Sequence, residues 1–208
     1  MINKLFGDYA TRFRGYFPVI IDVETGGLDS RRNPLLEIAA MTLRWDDQHC
    51  LHPHEERMHH VLPFEGSICD EKALAFTGIK PDHPFRFAIS EKDALQDLFQ
   101  WIRQAKNAAG CKKAVLVGHN AWFDLAFLNA AVGRTQLKRN PFHPFTCFDT
   151  ATLAALSHGE TVLATACKAA QIDFDSKEAH SALYDVQKTG ALFCSIVNQW
   201  QNFARQTI

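Results

Sequence analysis

The apolar run Val19-Ile20-Ile21 ends in two acids at alternate positions, Asp22 and Glu24. In an extended strand alternate side chains leave the same face, so both carboxylates stand side by side. Any fold that buries the apolar run must also deal with their repulsion, and a divalent cation is the usual remedy. A pair of Mg²⁺ or Mn²⁺ ions about 3.5–4 Å apart would neutralise such a cluster and stabilise both oxygens of an in-line phosphoryl displacement. Two further acidic segments follow, His119-Asn120-Ala121-Trp122-Phe123-Asp124 and His180-Ser181-Ala182-Leu183-Tyr184-Asp185. With them the chain supplies four carboxylates and a late histidine, in the order expected of a metal-dependent nuclease.

Composition sets the frame for that chemistry. In 208 residues no Gly/Ser/Pro-rich linker, repeat or low-complexity run divides the chain, so residues 1–208 are expected to form one domain. Hydrophobic residues make up 47% and phenylalanine accounts for 16, enough for a sizeable core. No apolar stretch approaches the roughly 18 residues of a membrane span. The segment Met1 to Asp8 lacks the basic start and apolar stretch of a signal peptide, and a cytoplasmic location is expected. Six scattered cysteines include no CxxC pair, which argues against a zinc ribbon or a disulfide framework. Lys plus Arg total 22 against 23 Asp plus Glu, so a nucleic-acid surface must come from segregated charge rather than overall basicity.

Apolar patterning places strands at Val19 to Val23, Leu36 to Leu43 and about His59 to Leu62, an antiparallel meander with the polar segment Asp46 to Arg57 among its connections. Ser90 caps a helix in which Leu95, Leu98, Phe99 and Ile102 recur at helical spacing, and Gly110 lies just past its end. Ala114 to Val117 suits a buried strand, ending at Gly118 before a helical pattern through Val132. After the proline-bearing stretch Arg139 to Pro144 come a strand near Phe145 to Phe148, helical segments through Ala170, and a last helix from about Ser181 to Gln201. This β-β-β-α-β-α-β-α order predicts an α/β fold, a mixed five-stranded sheet flanked by helices, whose sites favour strand ends.

On that layout Asp124 and Asp185 fall early in helices and can point at the strand carrying Asp22 and Glu24. His180 and Asp185, five residues apart, would lie about 140° apart around one helix. His180 is therefore expected in the loop or first turn before it, where it could approach a metal-bound water, and the imidazole side chain as a type suits general-base work around neutral pH. Each residue alone has a structural reading, since an Asp at an element end is often a cap and a lone His a hydrogen bonder. DxET on an apolar strand, HNAxFD at a strand-to-helix junction and HxAxxD at a late helix start are hard to obtain together by accident.

Together these motifs resemble those of the DEDDh 3′→5′ exonucleases, a ribonuclease H-like family, and the likeness spans nearly the whole chain. It is strongest toward the RNA-trimming branch, through Arg12-Phe13-Arg14-Gly15, Ala73-Leu74-Ala75-Phe76, the long Lys138-Arg139-Asn140-Pro141-Phe142-His143-Pro144-Phe145 and Asp173-Phe174-Asp175-Ser176. The resemblance implies a ribonuclease H-like fold in which Asp22, Glu24, Asp124 and Asp185 hold two Mg²⁺ ions, with Mn²⁺ able to substitute. It also implies that His180 activates the attacking water and that nucleoside 5′-monophosphates leave. Phe76, Phe123 and Phe145 become candidates for stacking on terminal bases, a contact worth about 1–3 kcal/mol per base. At a further stacking position, where that branch commonly carries Phe, this chain has Leu28, and Lys72 replaces a glutamate that helps discriminate the terminal base.

The resemblance matches Arg12, Arg14, Lys113 and Lys138 to a basic patch that reaches the substrate of the opposite protomer in a homodimer. Without it they read as solvated charges, the ordinary fate of surface Lys and Arg. The histidines from His49 to His60 fit no standard zinc spacing. The leading expectation is a 3′→5′ exoribonuclease trimming tRNA and other stable RNA, active also on single-stranded DNA. A proofreading exodeoxyribonuclease subunit of a DNA polymerase is the near alternative, opposed by the Arg-Phe-Arg segment and by the absence of an extended tail after the last helix. A non-catalytic nucleic-acid-binding module would be expected to have lost a ligand, and all five site residues are present.

Overall fold

The computed structural model describes Tyr9 and residues 12–207; the segment Met1 to Asp8, expected to carry no signal peptide, lies outside them. Five strands form one sheet in the order β3-β2-β1-β4-β5. They are β1 (Tyr16–Thr25), β2 (Leu35–Trp45), β3 (Leu51–His60), β4 (Lys113–Gly118) and β5 (Phe142–Asp149). β1, β2 and β3 run as an antiparallel meander, whereas β4 and β5 join β1 in parallel. The sheet is mixed because the chain passes from β3 to β4 through a long crossover that includes α2 (Glu91–Ala108), which lays β4 parallel to β1 on the far side of the meander. The remaining helices are α1 (Glu71–Thr77), α3 (Ala121–Thr135), α4 (Thr150–His158), α5 (Leu163–Ala169) and α6 (Ala182–Thr207). Among the described residues no helix is long and apolar enough to cross a membrane.

β1 is the spine of the core. Val19, Ile20 and Ile21 are fully buried, with both neighbouring strands paired and helices on both faces. α6 presses on the face that carries Ile20, where a Cβ on Gly190 would come within 2.8 Å of Met41 Sδ. Glycine at that position lets the helix approach the sheet. On the other face α2 buries Leu95, Leu98, Phe99 and Ile102, the residues its periodicity marks. Ser90 caps it by accepting from the Asp93 amide, and Gly110 follows it in the left-handed region. A smaller apolar cluster of Ala154, Ala166, Cys167, Leu192 and Ile196 ties α4 and α5 to α6.

The third strand is a correction to the sequence reading, which placed a strand only at His59 to Leu62 and a polar connection over Asp46 to Arg57. β3 starts at Leu51, and the turn before it is held by Asp46, whose carboxylate accepts from the amides of Gln48 and Cys50. Its polar side chains alternate between partners on the two faces. Glu55 accepts from Trp101 and Arg57 pairs with Asp97, both on α2, while Glu56 accepts from Gln187 on α6. An edge strand buttressed by polar helix faces needs no apolar pattern, and Pro53 is tolerated there because one side of the strand is unpaired. Strands β1, β2 and β5 and helix α6 also run beyond the predicted limits, because sheet pairing and helix packing extend past the apolar runs.

Candidate active site

The carboxylates gather at the carboxyl end of β1, where its parallel neighbour β4 leaves the sheet. Pairing of β1 with β4 ends at Ile20 opposite Val117. Beyond Gly118 the chain turns through Asn120, in the left-handed conformation, into α3. His119 secures this turn, with one ring nitrogen 3.0 Å from Thr150 Oγ1 and the other 2.9 Å from the Thr161 carbonyl. Burial holds its imidazole below the usual range. The turn delivers Asp124 in the first turn of α3, 4% exposed, where Oδ1 accepts the Val23 amide at 3.1 Å. A Cβ at position 118 would come within 3.0 Å of Asp124 Oδ2 and 3.1 Å of Ala121 Cα, so a larger residue there would press on the Asp124 carboxylate and the start of α3.

Asp22 and Glu24 leave the face of β1 that meets α6. The first turn of α6 supplies Asp185, and His180 precedes the helix with a left-handed backbone. The His180 amide donates to Asp185 Oδ2 at 3.1 Å, fixing the carboxylate against the loop. Ligand atoms of Glu24, His180 and Asp185 all lie within 4.8 Å of one another. The structure thus joins residues from β1, from α6 and from the loop before α6; Asp22 and Asp124 are not among these three, and Asp124 reaches β1 through its bond to the Val23 amide. Phe76 on α1 lies across the opening, 67% exposed, its ring 4.1 Å from the His180 imidazole.

The electrostatics of this cluster are those of acids short of a counter-charge. Burial, then Asp185 and Glu37, push Glu24 up to about 8. Burial and the surrounding acids, Asp124 first, raise Asp22 well above the carboxylate range. Asp124 rises mainly through burial, against the lowering effect of its backbone hydrogen bonds. Burial raises Asp185, and its Oδ1 is buried without a hydrogen-bond partner among the described residues. Converging hard oxygen donors, one of them orphaned, fit a divalent cation.

The other sequence candidates divide into two groups. Phe123 is half-buried, its ring 4.9 Å from Phe127, and next to it Trp122 stands exposed. Phe145 is 78% exposed on β5, where pairing with β4 jumps from Ala114 opposite Phe142 to Leu116 opposite Cys147. That bulge throws the Phe145 ring outward against His143. Leu28, in the loop after Glu24, and Lys72 on α1 are exposed. Arg12, Arg14, Lys113 and Lys138 lie at the opposite end of the sheet from the acids. Arg12 and Arg14 sit in a turn just before β1, anchored by the Phe13 ring on Phe148, and Tyr16 pairs with Lys113. Lys138 precedes Pro141, whose carbonyl accepts the Ala114 amide.

Two contributors escaped the sequence reading. Glu37 lies opposite Glu24 in the β1–β2 register, buried, and accepts from His60 Nδ1 at 3.0 Å; a lone acid inside the apolar Leu36 to Leu43 run was its signal. Helix α1, which carries Phe76, is a short element capped by Asp70 and closed by Gly78.

Residues 19–193 match the ribonuclease T family model, described as an exonuclease family. The chain belongs to that family. A ribonuclease T from Vibrio parahaemolyticus serotype O3:K6 (strain RIMD 2210633) is 54% identical over 191 residues, 91% of this chain and 89% of that protein. The chain is therefore homologous to ribonuclease T, a DEDDh 3′→5′ exonuclease of the ribonuclease H-like superfamily. Among solved structures, Escherichia coli exonuclease I in complex with a dT13 oligonucleotide superposes with a TM-score of 0.67 at 18% identity. That likeness covers 92% of this chain but 43% of exonuclease I, so this chain spans less than half of that protein. A full-length 3′-exonuclease superposes with a TM-score of 0.66 at 18% identity, over 91% of this chain and 84% of that one. At such identities these two establish the fold alone.

Proposed function

We propose that the protein is a 3′→5′ exoribonuclease that trims the 3′ ends of tRNA and other stable RNAs, and that it also accepts single-stranded DNA. The observation that carries this reading is the convergence of Glu24, His180 and Asp185 within 4.8 Å, from strand and helix, in a ribonuclease T homologue. Asp22, Glu24, Asp124 and Asp185 would hold two Mg²⁺ ions, or Mn²⁺ in their place. When bound, these supply the charge that stabilises the pentacoordinate phosphorus and its entering and leaving oxygens.

The protein's own residues do the rest. The Asp124 bond to Val23 and the Asp185 bond to the His180 amide orient two of the carboxylates before substrate arrives. His180 accepts a proton from water at an imidazole nitrogen as that water attacks the terminal phosphodiester phosphorus. The bond from phosphorus to the 3′ oxygen breaks and that oxygen takes a proton from solvent, leaving a 3′-hydroxyl on the shortened RNA and a nucleoside 5′-monophosphate as product. Phe76 shields the His180 ring and offers its free face to a terminal base, while Phe123 and Phe145 extend the stacking surface. Arg12, Arg14, Lys113 and Lys138 grip phosphates upstream, in a homodimer that places them near the partner's site.

The test is Mg²⁺-dependent digestion of a tRNA with a 3′ overhang beside a DNA primer with a terminal mismatch and a circular RNA. The expected result is 5′-monophosphates from the tRNA, with the circle untouched. Faster digestion of the mismatched primer than of the tRNA would favour proofreading, and cuts in the circle would exclude an exonuclease.

A further inference from the structure

Arg134, in the last turn of α3, uses its whole guanidinium. Nε and one terminal nitrogen form a fork on the Glu91 carboxylate at 3.1 and 2.7 Å. The other terminal nitrogen donates to the Ser30 carbonyl at 2.8 Å, and the guanidinium carbon lies 4.1 Å from the centre of the Phe64 ring. Glu91, in the first turn of α2, is buried. One side chain therefore ties two helix ends to two irregular loops, residues 26–34 and 61–70.

Those loops form the wall beside the acids. The first leaves β1 directly after Glu24 and Thr25 and carries Leu28, 86% exposed. The second leads into α1, which places Phe76 on His180. They are laced together: the Asp70 amide donates to Gly26 at 2.7 Å, the Ile68 amide to Arg32 at 2.9 Å, and Asn33 Nδ2 to the Ile68 carbonyl at 2.7 Å. Asn33 Oδ1 also accepts from the Asp29 amide at 2.8 Å. The lacing makes the two loops one piece; the Leu62 amide ties it to the Ile89 carbonyl at 2.9 Å just ahead of α2, and Arg134, itself held by Glu91 of α2, reaches both loops from α3.

We infer that Arg134 is a positioning residue for the terminal-nucleotide pocket: it sets where Leu28 and Phe76 stand relative to the carboxylates, and acts on 3′-end binding without touching substrate. This deepens the exoribonuclease reading and rests on it. A positive charge alone does not suffice, because a lysine ammonium lacks the planar fork that spans both Glu91 oxygens while reaching Ser30. A wall displaced by a fraction of an ångström loosens the grip on the terminal nucleotide and leaves the acids on β1, α3 and α6 where they are.

The experiment compares the unaltered protein with Arg134→Lys on RNAs ending in each of the four nucleotides, well below the melting temperature, with Mn²⁺ affinity measured by calorimetry. Arg134→Lys should raise KM by about tenfold with kcat little changed, the pattern of weakened binding rather than impaired chemistry. Mn²⁺ affinity should hold, and differences among the four terminal nucleotides should narrow. Phe64→Leu keeps the ion pair, and hence the fold, but removes the ring from the guanidinium; it should shift KM the same way by a smaller factor. Leu28→Ala should cost less in the Arg134→Lys background than in the unaltered protein. Unchanged KM in both folded variants overturns the inference while the exoribonuclease reading stands. So does a joint fall of kcat and Mn²⁺ affinity, which would make Arg134 a support of the acids. Failure of the unaltered protein to shorten any of the four RNAs would overturn both.

Discussion

Asp124 Oδ1 accepts the backbone amide of Val23 at 3.1 Å across 101 residues of sequence. Val23 lies past the last β1–β4 pair, so a side chain takes over where the strand partner ends. The same carboxylate is a proposed metal ligand, and the two roles can be separated. Asp124→Asn keeps an acceptor for Val23 and discards the charge, whereas Asp124→Ala discards both. Both variants should be inactive, but the Asn variant should be the more stable by the cost of leaving a buried donor unmet, about 1–3 kcal/mol. Denaturant melts of the two proteins decide it, and equal midpoints would show that the bond holds nothing.

The acid cluster fixes how stability should depend on pH. Glu24 moves from 4.5 in the unfolded chain to about 8 when folded, and Asp22, Asp124 and Asp185 move in the same direction. Between those values the folded chain retains a proton that the unfolded chain has released, so stability falls as pH rises from about 4.5 toward 8. In EDTA the native chain should melt lower at pH 8 than at about pH 5.5, and Glu24→Gln should flatten that slope. Mg²⁺ favours the ionised forms and should release protons on binding, so its stabilising effect should grow with pH. A Mg²⁺-induced rise in Tm that is larger at the acid end would contradict the assignment.

Exposure separates the stacking candidates. Phe76 has most of its ring in solvent and rests on His180, so Phe76→Ala should raise KM for RNA with Tm almost unchanged. A loss worth about 1–3 kcal/mol is expected for one base–aromatic stack. Phe123 is half-buried against Phe127, and its truncation should also lower stability, by about 1–3 kcal/mol for the apolar area removed. Parallel melting and steady-state kinetics distinguish the two. A Phe76→Ala protein with native KM would remove that residue from the binding surface.

What could be read from sequence was whatever repeats with a period. Ile20, Leu98 and Leu116 announce their elements because buried faces demand apolar residues at period 2 or 3.6. β3 was hidden because Glu55, Glu56 and Arg57 satisfy it through side-chain bonds to helices 40 or more residues away in sequence, which no local pattern encodes. The acids were legible as motifs, but Glu37 was not, since its place opposite Glu24 follows from strand register. Arg134 shows the same limit: its partners Ser30, Phe64 and Glu91 come from three separate segments.

The position of the basic residues leads to a prediction about assembly. Arg12 and Arg14 precede Tyr16, and Asp22 lies six steps of extended strand beyond Tyr16, about 20 Å. Lys113 and Lys138 lie at that same distant end. Such a span exceeds the screening length of about 8 Å at physiological salt, so these cations do little for a phosphate at their own carboxylates. They should instead bind phosphates further along the RNA, whatever its sequence. Replacing all four by Ala should raise KM more than it lowers kcat, and flatten the salt dependence of binding by about one unit of slope for each phosphate-binding cation removed. If the patch serves the partner in a homodimer, mixing this variant with Asp185→Asn should restore part of the activity, because one site of the mixed dimer joins intact acids to an intact patch. No recovery in heterodimers verified by native mass spectrometry would mean that each protomer holds its own substrate.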